Sequence, residues 1–497
     1  MSKHILWGLF LLTYVTINAQ EDVPLDYLSK EFHAGRRDAL RKLMPSNSVA
    51  LIFAYPRRTF SRDVNYPYHQ NPDLYYFTGY KEPNGVLVIY KEPQQSADKK
   101  SYNELFFAQR KDSIMELWTG RRMGVDGVKS NLGIQMVFNC DQFNQFAFNF
   151  EAFDIILFDA PPEDLPNDPQ DSADLFDLVN SFKKKASIPD NYKKDVNETL
   201  AYLCATINSK NTAWFIIYLK TLISSGAFFR DNLLISDLVT AKDSIAQVRA
   251  ISKIKNARFN APLYSALVAS LREIKTPEEL VILRKSIDIS SIAHAETMKA
   301  IHAKMSETEL QGLQEYVHKK HGAEYVGYPS IVGAGENGCV LHYIENNRTK
   351  VGDNLVLMDI GAEYHGYSAD VTRTVPASGK FTPEQKAIYN LVYQAQEEVF
   401  KLCREDTPFS ALNNKATQIL AEGLLRLGVI KNKEDVERYY PHGCSHHLGL
   451  DVHDKSNYGR LKENMVITVE PGIYIPENSP CDKKWCGVLQ SGLKTMS

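Results

Sequence analysis

Apolar and polar positions along the chain fall into two rhythms. In the first half, SVALIFA from Ser48, GVLVIYK from Gly85 and NELFFAQR from Asn103 are apolar runs of strand length bounded by turn residues. LYYFTGY from Leu74 reads as a further strand. Ahead of them LSKEFHAGRRDALRKLM, from Leu28, spaces its apolar residues as a helix does. Strands mixed with helices in this way predict an α/β domain. Residues 159–175, DAPPEDLPNDPQDSADL, are acidic and proline-rich and read as a surface loop or linker. Helical segments follow to about Ser270. Near Lys275 the character changes: Thr276, Pro277 and Glu279 make a capping box with proline at the first helical position. Ser306 with Glu309, and Thr382-Pro383 with Gln385, repeat that signature. The expected organisation is therefore an N-terminal domain over 20–270 and a second domain over 271–497.

Composition narrows the class of protein only modestly. The 497 residues carry a formal charge of -3 and are 44% hydrophobic, which fits a globular protein and gives no reason to expect nucleic acid as a partner. The start is more informative. Lys3, the apolar run from Ile5 to Ile17 and small residues ending at Ala19 read as a signal peptide over 1–19, so an exported protein, periplasmic or secreted and not membrane-bound, is expected. The cysteines at 140, 204, 339, 403, 444, 481 and 486 are odd in number and widely spaced, which is not a disulfide framework.

Chemistry concentrates in the second domain. In NLVLMDIGAEYHGYSADVTRTV, two strand-like runs flank a turn, with Asp359 in the first and Asp370 in the second. A turn centred near Tyr364 and His365 would set the two aspartates opposite each other, with Cβ atoms roughly 4.5–5.5 Å apart. Carboxylates held so close repel unless a cation lies between them, and a pair of divalent ions would suit them. YYPHGCSHHLGLDVHDKS then packs His442, His446, His447 and His453 into twelve positions, and MVITVE adds Glu470. Imidazole and carboxylate are the usual ligands of transition metals. His342, in GAGENGCVLHYIENN, gains meaning only in that company.

These motifs, in this order, resemble the pita-bread-fold dinuclear metallopeptidases, and among them the aminopeptidase P family of Xaa-Pro aminopeptidases. FHAGRRDALRKLM, NPDLYYFTGYKEPNGVLVIY and ELWTGRRMG are similar to that family's N-terminal α/β domain. SIVGAGENGCVLHY, MDIGAEYHGYSADVTRT, HGCSHHLGLDVHD and TVEPGIY are similar to its pita-bread catalytic domain. The resemblance implies two divalent metal ions, manganese before others, held by Asp359, Asp370, His446 and Glu470, with Asp370 bridging and a water between the ions as nucleophile. It implies catalytic roles for His342 and His453, substrate-binding roles for His442 and Tyr474, and a structural or surface role for His447. The substrates implied are peptides with proline at the second position. Trp118, in ELWTGRR, matches a tryptophan that reaches a neighbouring subunit in the family, which implies a homo-oligomer. Xaa-Pro dipeptidase (prolidase) shares fold and ligands and stays open, as does a non-catalytic member that only binds peptides.

The ending departs from the family. Its fifth ligand is a glutamate in a closing strand of pattern Gly-Ile-x-x-Arg-Ile-Glu-Asp. Counted on from Glu470 it falls near position 493, where Leu493 stands, with Ser491 at the arginine. With suitable codons, deleting one base near the codon of Cys486 turns WCGVLQSGLKTMS into Trp-Trp-Gly-Ile-Ala-Val-Arg-Ile-Glu-Asp-Asp-Val. The tail thus reads as a frame-shifted remnant, natural or a sequencing error. The expectation is a catalytic domain that is C-terminally truncated, lacks its closing strand, exposes a sheet edge and binds metal weakly.

Overall fold

A computed structural model describes residues 24, 26–188, 216–217, 219–221, 233–490 and 495–496, apart from positions 97, 160, 163, 169, 170, 172, 256 and 486. The N-terminal apolar run, Cys204, Cys486, Ser491 and Leu493 lie outside the described residues.

The first half is built on a mixed five-stranded sheet in the order Val137–Asn139, Ser101–Ala108, Val86–Gln95, Ser48–Phe53, Ile155–Phe158. Strand Ser48–Phe53, next to the Ile155–Phe158 edge, is buried throughout because its two alternating faces meet two cores. Ala50 and Ile52 face one core with the helix residues Leu40, Leu74 and Tyr264. Val49, Leu51 and Phe53 face another, filled by Phe143, Phe150 and Phe182. Both faces are covered, as expected for an α/β domain.

One element differs from the expected strand. LYYFTGY belongs to a helix, Pro72–Thr78, with Pro72 in its first turn. The Asn71 side chain accepts from the Asp73 N–H at 2.9 Å, and Gly79 closes the helix at φ 74°. All seven residues are buried, so the helix shows no polar stripe, and its aromatic content imitates a strand.

In the second half the capping boxes of Thr276–Glu279 and Thr382–Gln385 form on helices Pro277–Ala300 and Pro383–Phe400. At helix Glu307–Lys320, Ser306 accepts from the Glu309 N–H without the reciprocal bond, so only half of that box is made. Strand Leu355–Ile360 lies between Ile331–Ala334 and Val371–Pro376, and beyond it the same two strands continue as the hairpin Ala362–Tyr364 and Tyr367–Ser368. Helix Pro277–Ala300 grips this ribbon, with the Ser286 hydroxyl donating to the Ala362 carbonyl at 2.6 Å.

The hairpin tip is clasped from the N-terminal side. Tyr27 stacks on the His365 ring at 3.6 Å, and the Tyr364 hydroxyl donates to Asp26 at 2.6 Å. His365 also meets Asp26 at 2.8 Å and Glu324 at 3.0 Å.

The expected bare sheet edge is not seen. Leu489–Gln490 pairs antiparallel with Ile473–Tyr474, and Thr495–Met496 pairs with Thr468–Val469. Ladder hydrogen bonds use backbone groups alone, so a segment without strand alternation still fills the slot. No disulfide joins the described cysteines; Cys140 and Cys444 are buried as small apolar groups. Among the described residues no helix is long and apolar enough to cross a membrane.

Candidate metal centre

The two aspartates reach the site through the hairpin register. Tyr364 faces Tyr367 and Ile360 faces Val371, so the turn is His365-Gly366, with φ 49° and 85°. That two-residue turn with both φ positive is the type whose twist suits a hairpin. It lies one position later than expected. Asp359 is therefore opposite Thr372 rather than Asp370, and the two aspartates are diagonal neighbours on one face. Asp370 is fully buried and Asp359 is 9% exposed. Gly361 makes this possible. A Cβ there would lie 1.9 Å from the Ala369 carbonyl oxygen, which is backbone and cannot swing aside. Gly361→Ala is expected to destabilise the protein by about 3 kcal/mol or more and to loosen metal binding. Chemical unfolding beside metal analysis checks this, and an unchanged midpoint would contradict it.

His446 and Glu470 are brought together by a second pairing. The Thr468 N–H donates to the His446 carbonyl at 2.9 Å, the Glu470 N–H to Cys444 at 2.8 Å and the Leu448 N–H to Val466 at 3.0 Å. This ladder sets His446 across from Thr468. The Thr468 hydroxyl in turn donates to Glu470 Oε1 at 2.7 Å.

The result is a convergent donor set. His446 Nε2 lies 3.1 Å from Asp370 Oδ2 and 3.0 Å from Glu470 Oε1. Asp370, His446 and Glu470 each offer an atom within 4.8 Å of the others. Asp359 is tied in through Tyr328, whose hydroxyl is 2.6 Å from Asp359 Oδ1 and 2.9 Å from Asp370 Oδ1. Burial, then the two neighbouring charges, push the Tyr328 phenol well up, so it remains a donor. Asp370 thus touches both halves of the set, one oxygen toward Tyr328 and Asp359, the other toward His446.

These residues fit a divalent cation. His446 Nδ1 is 3.0 Å from the His447 carbonyl, an acceptor only, so Nδ1 carries the hydrogen. The Nε2 lone pair then points at carboxylate oxygens, an arrangement that requires a proton or a metal ion.

Without metal the proton wins, and this has a pH signature. Burial pulls the His446 imidazole down, but the hydrogen bonds and charges of Asp370 and Glu470 outweigh it and lift its pKa to about 10 from an ordinary 6.5. A raised folded value means the proton stabilises the metal-free fold fully below about pH 6.5 and that this contribution is lost as pH rises through about 10. Metal competes for the same lone pair, so metal uptake strengthens over that window. Thermal midpoints of metal-free protein across it should fall with rising pH; a flat profile would contradict the proton at Nε2.

The other expected residues are placed unequally. His453 is exposed and stacks on His446, with centroids 3.9 Å apart and planes at 12°. His442 Nε2 lies 3.0 Å from the Tyr474 hydroxyl, so those two form a pair. His342 is exposed beside buried Tyr343 and, among the described residues, makes no hydrogen bond or ring contact with the cluster. His447 is buried and stacks on Phe409 at 5.2 Å, a structural residue, with burial pulling its imidazole down to about 4. Trp118 is 80% exposed on helix Ser113–Thr119. Tyr328, Thr468 and Gly361 were not foreseen. Tyr328 acts across chain separations that carry no local signal, Thr468 lies two residues before Glu470 and was overlooked beside it, and Gly361, between two strand-like runs, marks a close approach.

Comparison with known proteins agrees with the geometry. The pattern of "Metallopeptidase family M24" matches residues 281–491, and that of "Aminopeptidase P, N-terminal domain" matches residues 33–151. The Xaa-Pro aminopeptidase of Escherichia coli K12 is 32% identical over 93% of this chain and 90% of its own length. The chain belongs to metallopeptidase family M24. Another relative of this M24 protein, the mitochondrial intermediate cleaving peptidase 55 of Arabidopsis thaliana, is 30% identical over 92% of this chain and 76% of its own. The solved structure of E. coli aminopeptidase P with the inhibitor Pro-Leu superposes with a TM-score of 0.69 at 28% identity, covering 95% of this chain and 94% of that one. The M24 protein therefore has an aminopeptidase P-like N-terminal domain followed by a pita-bread domain, and divalent metal ions belong to its family's chemistry.

Proposed function

We propose that this M24 metallopeptidase is an Xaa-Pro aminopeptidase that removes an N-terminal residue followed by proline. The observation that carries the reading is the position of Asp370, one carboxylate shared between the Tyr328–Asp359 side and the His446–Glu470 side of one donor set. Asp359, Asp370, His446 and Glu470 would hold the divalent ions. Carboxylate oxygens with one imidazole favour manganese. Bound ions of this kind polarise a peptide carbonyl and make water acidic enough to act as nucleophile near neutral pH.

The chain's own residues supply the rest. Tyr328 holds Asp359 and Asp370 at fixed spacing, and Thr468 fixes one oxygen of Glu470. His453, exposed over His446, is suited to donate to the substrate carbonyl oxygen as charge develops there. His442 and Tyr474 form a hydrogen-bonded wall for binding the substrate.

Leu493 stands where the family pattern has its fifth carboxylate, so metal affinity and rate are expected below those of a version restored to the shifted frame. Equal metal content and equal rates would overturn that part. We further infer export, from the residues 1–19, and self-association involving exposed Trp118 and Leu117.

The test is hydrolysis of Arg-Pro-Pro and Gly-Pro by manganese-loaded protein. Release of arginine from the tripeptide supports the aminopeptidase. Activity confined to the dipeptide would assign a prolidase instead, and no cleavage with peptide bound would leave a binding protein.

A further inference from the structure

We propose that Asp73, far from the metal donors in sequence, is a positioning residue for His453, acting through a buried ion cluster that joins the N-terminal region to the histidine-bearing loop. The proposal rests on the reading of His453 as a substrate-facing group given above.

The cluster is built from six charged side chains. Asp73 lies within the part of the chain matched by the aminopeptidase P N-terminal pattern, and Asp451, Asp454 and Lys455 lie within the M24 match. Arg272 and Lys275 come from the segment between. Asp73 accepts from Arg272 at 2.7 Å through one oxygen. Through the other it accepts from Lys455 at 2.6 Å and the Tyr264 hydroxyl at 2.9 Å. Arg272 carries on to Asp451 at 2.7 Å and to Asp454. Lys275 closes the chain on Asp454 at 2.8 Å. Three cations meet three carboxylates, and the charge of a further carboxylate, Asp159, acts on Lys455. Arg272, Lys275, Asp73 and Asp454 are essentially inaccessible, and Lys455 is 27% exposed.

Burying that much charge is a costly way to stabilise a fold, because desolvation opposes every ion pair. What the cluster supplies is direction. Both terminal nitrogens of Arg272 and both oxygens of Asp73 are used, so the partners are fixed in angle as well as distance. The residues it grips are the two that follow His453. Asp454 is held by Arg272, Lys275 and, through its own N–H, the His447 carbonyl at 2.9 Å. Lys455 is held by Asp73. With both anchored, the backbone at His453 has one setting, and its ring lies flat on His446 at 3.9 Å. Release of Lys455 frees one of these anchors while the metal donors, held by separate ladders, stay in place.

The test is Asp73→Asn, which keeps the shape and removes the charge, in wild-type and His453→Ala backgrounds of the full chain loaded with manganese. With Arg-Pro-Pro as substrate, kcat should fall by about 10–100-fold, the range for supporting groups around metal sites. Bound manganese and KM should stay within about 2-fold. In the His453→Ala background the same change should cost less than about 2-fold, because the group it positions is gone. An equal fold-loss in both backgrounds, or a loss that tracks lost metal, would overturn the proposal. Should Asp73→Asn fail to fold, Lys455→Gln, at the exposed edge of the cluster, enters the same cycle. A readout without turnover separates this idea from the activity it rests on. In metal-free protein the imidazole NMR signal of His453 should move in Asp73→Asn, while that of His294, buried against the Val371 carbonyl, does not. If wild-type protein cleaves no Xaa-Pro peptide, the functional reading fails, and an unmoved His453 signal sinks the positioning role by itself.

Discussion

Asp370→Asn is expected to lower kcat/KM by at least about 100-fold and to empty the site of metal. Substitutions in groups that merely support metal ligands cost about 10–100-fold, and Asp370 is placed to be a ligand with both oxygens engaged. The amide keeps the oxygen that meets Tyr328 at 2.9 Å. Its nitrogen, taking the place of Oδ2, would sit 3.1 Å from His446 Nε2 and donate to the lone pair a metal ion needs. The substitution thus removes one ligand and blocks another. It also removes one of the two carboxylates that lift the His446 pKa, so the fall in metal-free stability with rising pH should shrink. Metal analysis and steady-state kinetics on the same preparation check this. Full metal content with a rate near wild type would show that Asp370 is not a ligand.

The second large effect is on folding. Arg272→Met should destabilise the protein by about 3–5 kcal/mol, the range for breaking a buried ion pair from one side. The guanidinium is 1% exposed and answers three carboxylates. Its removal leaves Asp73, Asp451 and Asp454 facing only Lys275 and Lys455. The Asp73 carboxyl, which burial alone would push up, is held at about 2 by Lys455 and Arg272. Losing one of them raises it, so the share of stability that Asp73 loses as pH falls through about 2 should shrink. Denaturant midpoints measure the effect. Arg58→Ala is the matching control, since the Arg58–Asp164 pair is exposed and its loss should cost under about 1 kcal/mol. Similar losses for the two variants would mean that burial of the cluster contributes nothing.

What could be read from the sequence divides by range. Caps at Thr276 and Thr382 were legible because their chemistry is complete within four residues. The donors Asp359, Asp370, His446 and Glu470 were legible because each sits in a long motif. Helix Pro72–Thr78 was misread because full burial removes the polar stripe that marks a helix, although Asn71, Pro72 and Gly79 spelled out its ends. The hairpin register was missed by one position, although His365 and Gly366, residue types that tolerate positive φ, marked the two-residue turn. Tyr328, and the cluster in which Asp73 meets Arg272 and Lys455 across 199 and 382 positions, exist only in three dimensions.

The clasp of Asp26 and Tyr27 on His365 carries a practical consequence. The ribbon they hold is one continuous pair of strands, with Asp359 and Asp370 partway along and the clasp at its free end. Such a ribbon behaves as a lever, and a load hung on its tip is felt at its pivot. A bulky affinity tag fused directly ahead of Asp26 would hang that load. A flexible spacer before Asp26 keeps purified protein comparable with the untagged chain.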